Sequence, residues 1–118
     1  MSTRDELRQI LLTPRPPTIQ PVEIPELGVT FYVRVMTGLE RDAYEAAILR
    51  GDKDERLTNM RAKLVVRSAC DADGKLLFTA EDAEKIGAQE WIALDRIAAA
   101  AQKINAMTDQ AIEDLKGK

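Results

Sequence analysis

The stretch PVEIPELGVTFYVRVMTGLERDAYE, residues 21–45, decides the fold of this chain, since it holds the clearest strand pattern and the clearest helix start. Apolar and polar side chains alternate over residues 29–36, which is the period-two pattern of a strand with one buried face. A shorter strand is predicted at residues 22–24, and a turn between the two strands ends at Gly28, which tolerates a positive φ. The stretch therefore predicts an antiparallel hairpin. Its Val and Phe face needs helices to pack on, because a lone hairpin is marginal in water.

A helix is predicted directly after the hairpin. Thr37 and Glu40 have the spacing of a capping box, in which each residue bonds the backbone N–H of the other. The helix should run to about Leu49, where Gly51 stops it. The residues predicted to form its inner side are Leu39, Ala43, Ala46 and Ala47.

Helical spacing of apolar residues continues through the second half of the chain. It predicts a helix over residues 55–70, a turn at 71–75, a short extended piece at 76–78 that can add to the hairpin, and a helical turn at 80–86 capped by Thr79. The longest helix is predicted at residues 88–107 and a last short one at 109–115. Trp91, the only tryptophan, is predicted to anchor the core, with a binding hot spot as the alternative.

The N-terminal segment is predicted to form an arm. Thr3 and Glu6 form a second capping box, and Leu7, Ile10 and Leu11 recur at helical spacing, which predicts an amphipathic helix over residues 3–12. All five prolines fall between residues 14 and 25, so an extended and semi-rigid spacer should follow. Two partners remain open for this helix: the chain's own core, or another copy of the chain.

These elements predict a mainly α chain with a small β-hairpin, an α+β fold. Residues 1–18 form the helix and proline-rich arm, and residues 19–118 form one domain with the hairpin and a helical bundle. A length of 118 residues suits a single core. Aromatic residues are only 4% of the chain, so the core must be built from Ala, Leu, Ile, Val and Met, and additional apolar surface is expected to serve a partner.

Composition argues against catalysis. The chain has no histidine and one cysteine, Cys70, in an apolar run that predicts a buried structural thiol. The glycines are isolated, so no phosphate-binding loop is present. Residues 71–75 faintly resemble a calcium loop. With Gly74 at loop position six, however, the first and last ligand positions would be Ala69 and Ala80, whose side chains cannot bind calcium. We therefore expect no enzyme, no cofactor and no metal.

Charge and hydropathy argue against nucleic acid and membranes as partners. The net charge is −3, which argues against nucleic acid as the default partner. Arg56, Arg61, Lys63 and Arg67 lie on one predicted helix, and a solvated face with ion pairs is the favoured interpretation. No apolar run approaches the roughly 20 residues of a membrane span, and the charged N-terminus is unlike a secretory signal. A cytoplasmic protein is expected.

The chain resembles the tail assembly chaperones of long-tailed bacteriophages and prophages. The resemblance is one of pattern and order over roughly residues 19–108. It is carried by VEIPELGVTFYVRVMTGLERDAYE, then RSACDADGKLLFTAED, and last an EWIALDRI helix, after a proline-containing lead. Members of that family are small, mostly helical proteins with a short β element.

The resemblance implies a non-enzymatic role in tail assembly. The protein would bind the tape measure protein, keep it soluble, recruit major tail protein subunits in the host cytoplasm, and leave before the virion is mature. A homo-oligomer is expected. The candidate residues for partner binding or self-association are Leu7, Ile10, Leu11, Leu94, Ile97, Ala101 and Ile104. Alternatives are a small structural virion protein such as a head–tail connector, and a helical adaptor or regulator.

Overall fold

The computed structural model describes residues 1–49 and 59–106 of the chain. Within them it is an α+β fold with five α-helices and one three-stranded antiparallel sheet, as the sequence predicts. The elements are, in chain order, α1 (Arg4–Leu12), β1 (Ile19–Ile24), β2 (Val29–Arg34), α2 (Gly38–Leu49), α3 (Met60–Ser68), β3 (Ala69–Cys70), a 3-10 turn (Ala80–Asp82), α4 (Ala83–Gly87) and α5 (Trp91–Ile104).

The predicted hairpin is confirmed, and its first strand is longer than expected. β1 and β2 pair from Ile19 with Arg34 to Ile24 with Val29, and Gly28 takes a φ of 66° in the turn. β1 continues through Pro21, which has no N–H to donate. The Thr18 carbonyl accepts from Val35 N at 2.9 Å, so bonded pairs alternate from there and Pro21 falls at an outward-facing position of an edge strand, where proline is tolerated.

The core lies where the inner face of the sheet meets α3 and α5, with α2 packed on α3. Its largest fully buried side chains include Ile24, Val33 and Leu64. The predicted inner face of β2 is correct at its centre, where Val33 is buried and Phe31 half-buried, and wrong at its ends, where Val29 and Val35 are exposed. The alternation stops because β2 ends at Arg34, after which Met36 turns inward.

The capping box at the start of α2 is confirmed. Thr37 N donates to a Glu40 carboxylate oxygen at 2.8 Å, and Glu40 N donates to the Thr37 hydroxyl at 3.1 Å. The predicted inner side of α2 is wrong. Tyr44 and Ile48 are the buried residues of this helix, while Leu39 is 81% exposed. Large side chains outcompete alanines for the interior because they remove more apolar area from water.

The predicted helix over residues 55–70 is described only from residue 59. It is helical as α3, but Ala69 and Cys70 extend to form β3 on the far side of β2. The piece at 76–78 pairs with β3 rather than with the hairpin, since Leu77 N donates to the Ala69 carbonyl at 3.1 Å. The predicted stop at Gly51 and the predicted helix at 109–115 lie outside the described residues.

The turn and the helix cap that follow β3 lie where the sequence predicts them. Gly74 has a φ of 86° in the 71–75 turn, and Asp71 Oδ1 accepts from Asp73 N and Lys75 N. Thr79 caps this segment as predicted, and it does so through a capping box with Asp82 before α4. The long helix is shorter than predicted: it begins at Trp91 rather than at residue 88 and ends at Ile104.

Two polar side chains fasten the end of β2 to the helices. Asn105 is buried; its Oδ1 accepts from Met36 N at 2.7 Å, and its Nδ2 donates to the Ala101 carbonyl at 2.8 Å and the Arg34 carbonyl at 3.3 Å. Arg34 pairs with Glu40 and donates to the Gly74 carbonyl. These bonds join the hairpin, α2 and α5 into one unit.

Candidate partner-binding surfaces

An apolar groove opens between the hairpin turn and the start of α5. It has a volume of about 490 Å³. Its floor comes from three buried residues, Val65 of α3 and Leu94 and Ile97 of α5. The residues that complete its lining are Glu26, Leu27, Phe31, Phe78, Ile86, Gln89, Glu90, Ile92 and Ala93. The groove is therefore a concave surface with an apolar floor, formed by four different parts of the chain.

The mouth of the groove carries exposed apolar side chains. Leu27 stands on the hairpin turn and Ile92 on the first turn of α5, and both are exposed. The lining residues with charge or an amide, Glu26, Gln89 and Glu90, are all exposed as well. Polar groups thus border the opening while the floor offers only hydrophobic contact.

An ion pair sets the position of the hairpin turn against α5. Arg96 donates to both carboxylate oxygens of Glu26, with Nε and one terminal nitrogen each at 2.6 Å. The bidentate hydrogen bonds from Arg96 lower the pKa of Glu26, and Glu26 in turn raises the pKa of Arg96. Because both groups are solvated, the pair contributes little to overall stability, but its fork geometry fixes one wall of the groove relative to another.

Trp91 lies at the surface, which makes the prediction of a core anchor wrong. It is 64% exposed at the first position of α5. The helix spacing that placed Leu94 and Ile97 inward is correct, but Trp91 precedes that stripe and falls outside it. Tryptophan is one of the residue types most enriched at binding hot spots, so the exposed Trp91 is a candidate contact for a partner.

The predicted arm helix is confirmed as α1. Glu6 N donates to the Thr3 hydroxyl at 3.2 Å, which caps the helix as the sequence indicates. None of its residues is buried. Leu7, Ile10 and Leu11 are all exposed, so the apolar stripe of α1 has no partner within the described part of its own chain.

The spacer contacts the domain at Pro17. A Cβ built on Gly74 would lie 2.6 Å from Cγ of Pro17, so the proline ring already occupies the space above that glycine. Two residues later Ile19 begins β1. The arm therefore leaves the domain at the end of the sheet opposite to the hairpin turn.

The candidate residues predicted on the long helix occupy different surroundings. Leu94, Ile97 and Ala101 are buried in the core of the domain, and Ile104 is half-buried against it. Leu94 and Ile97 also line the floor of the groove. The arm residues and the α5 residues thus lie on separate parts of the molecule. A groove built from four segments was not visible in the helical spacing of any one of them.

Metal-binding clusters, the cysteine and membrane-spanning helices were also considered. Residues 1–49 and 59–106 contain no cluster of three or more metal-binding side chains. Cys70 is buried as predicted, and burial raises the pKa of its thiol. In the same part of the chain, no helix combines the length and the hydropathy that a membrane span requires.

The basic helix α3 forms contacts within the protein. Arg61 pairs with Asp95 at 2.7 Å, and Arg67 donates to the Lys63 carbonyl at 2.8 Å. Arg56 lies outside the described residues. The ion-paired, solvated face that the sequence favours is confirmed for Arg61, whereas Lys63 and Arg67 are half-buried and Arg67 bonds a backbone carbonyl.

Comparison with known proteins gives one informative result. No protein-family model matches the chain, and no curated protein matches it. Among solved structures, the tail assembly chaperone of bacteriophage HK97 has a similar fold, with a TM-score of 0.62 and 16% sequence identity. The match covers 91% of this chain and 97% of that chain. The structure thus has the tail assembly chaperone fold, which confirms, at the level of fold, the family that the sequence resembles.

Proposed function

We propose that this chain is a non-enzymatic tail assembly chaperone of a long-tailed phage or prophage. In this role it binds the tape measure protein, keeps it soluble and recruits major tail protein subunits. It acts in the host cytoplasm as a homo-oligomer and is absent from the mature virion. The observation that carries the proposal is the fold shared with the HK97 chaperone over nearly the whole of both chains.

The surface of the domain supports this role. A chaperone for a long helical protein needs exposed apolar side chains that engage a client, and no reactive centre. Trp91 supplies such a contact, since it is 64% exposed and held on a rigid helix. A tryptophan offers a large apolar area at a low cost in side-chain entropy. We therefore assign Trp91 as the client anchor.

Co-expression with a tape measure protein from the same phage or prophage genome tests the proposal. The tape measure protein should be soluble and co-purify with the wild-type chain. Trp91→Ala should weaken the complex by about 30-fold or more, the loss of a hot-spot side chain worth roughly 2 kcal/mol. Leu39→Ala is the matched control, because Leu39 is also an exposed apolar residue near a helix start, and it should leave binding unchanged.

Two results would contradict the proposal. One is a tape measure protein that stays insoluble with the wild-type chain. Equal co-purification with Trp91→Ala and with wild type would in addition contradict the assignment of Trp91 as the client anchor. The other is stoichiometric recovery of the chain from purified mature virions by mass spectrometry, which would indicate a structural component.

A further inference from the structure

We draw no further inference here: the strongest candidate, the apolar groove between the hairpin turn and the start of α5, carries none, because nothing in the structure shows what covers it.

Discussion

Replacing the buried Asn105 by Ala should destabilise the domain strongly for a single substitution at a helix C-cap. Asn105 is buried just after α5, where its backbone has φ −91° and ψ 10°, which alanine adopts without strain. Its side-chain oxygen Oδ1 accepts a hydrogen bond from Met36 N at 2.7 Å. Removing it leaves that buried N–H without its partner and withdraws the donor from the Arg34 carbonyl.

The magnitude follows from these contacts. A buried donor left without a partner costs about 1–3 kcal/mol. The Ala101 carbonyl is less affected, because it still accepts from Asn105 N at 3.1 Å. The longer bond to the Arg34 carbonyl, at 3.3 Å, adds a smaller term. We therefore expect a loss of about 2–3 kcal/mol in the free energy of unfolding.

Urea unfolding followed by circular dichroism measures this loss. With a slope near 1.5–2 kcal/mol per molar urea, the midpoint should fall by about 1–2 M while the slope stays constant. Protein concentration must be equal in all samples, since self-association would add to apparent stability. Lys103→Ala, an exposed change on the preceding turn, should shift the midpoint little. A loss below about 0.5 kcal/mol for Asn105→Ala would refute the reasoning.

Three further perturbations have defined outcomes. Thr37→Ala should cost about 1 kcal/mol in urea unfolding because it removes the α2 cap, and Thr37→Ser should retain most of that stability. Gly74→Ala should lower the free energy of unfolding by more than about 1 kcal/mol, because the added Cβ would lie 2.6 Å from Pro17 Cγ and the residue has a φ of 86°. Limited proteolysis should cut the arm faster in this variant, since its attachment at Pro17 is loosened. An unchanged cleavage rate would contradict this prediction. Burial raises the pKa of Tyr44 to about 12, so the folded state keeps a proton that the unfolded state loses near pH 10. Stability should therefore fall by about 2 kcal/mol between pH 10 and 12, and a Tyr44→Phe variant with the same decline would show that Tyr44 is not its source.

Local signals in the sequence predicted much of the fold. The hairpin, the Thr3 cap, the Thr37 capping box and the Gly74 turn depend on residues close together in the chain, and each is present in the structure. At Thr3 only half of the predicted box forms, because the Glu6 carboxylate accepts from the Thr3 hydroxyl instead of the Thr3 backbone N–H. Their energetics are set by backbone geometry and short-range hydrogen bonds. Such features need no knowledge of what packs against them.

Features that depend on tertiary competition were predicted less well. Leu39 was assigned to the inner side of α2, yet Tyr44 and Ile48 occupy the interior. Trp91 was assigned to the core by its size and apolar character, yet it stands one turn before the buried stripe of α5. In both cases several apolar side chains competed for one limited interior, and the sequence does not state which neighbours are available.

The two candidate surfaces also differ in how far the sequence could predict them. The arm stripe of Leu7, Ile10 and Leu11 is a property of one helix, so its amphipathic character was readable from spacing. The groove forms only when the hairpin turn, α3, α4 and α5 meet. Its floor residues were recognised as apolar, but the cleft above them could not be inferred from their spacing.

Pro21 limits how copies of this chain can join. An edge strand with free N–H and C=O groups is a template for another strand, and unchecked pairing of this kind leads to aggregation. The outward proline deprives the β1 edge of a donor midway along its length, and Leu77 covers the far edge at β3. Any contact between copies would therefore be made by side chains, which dissociate more readily than a shared sheet. In the proposed role, in which the protein leaves the assembly before the virion is mature, an interface that can be undone is an advantage.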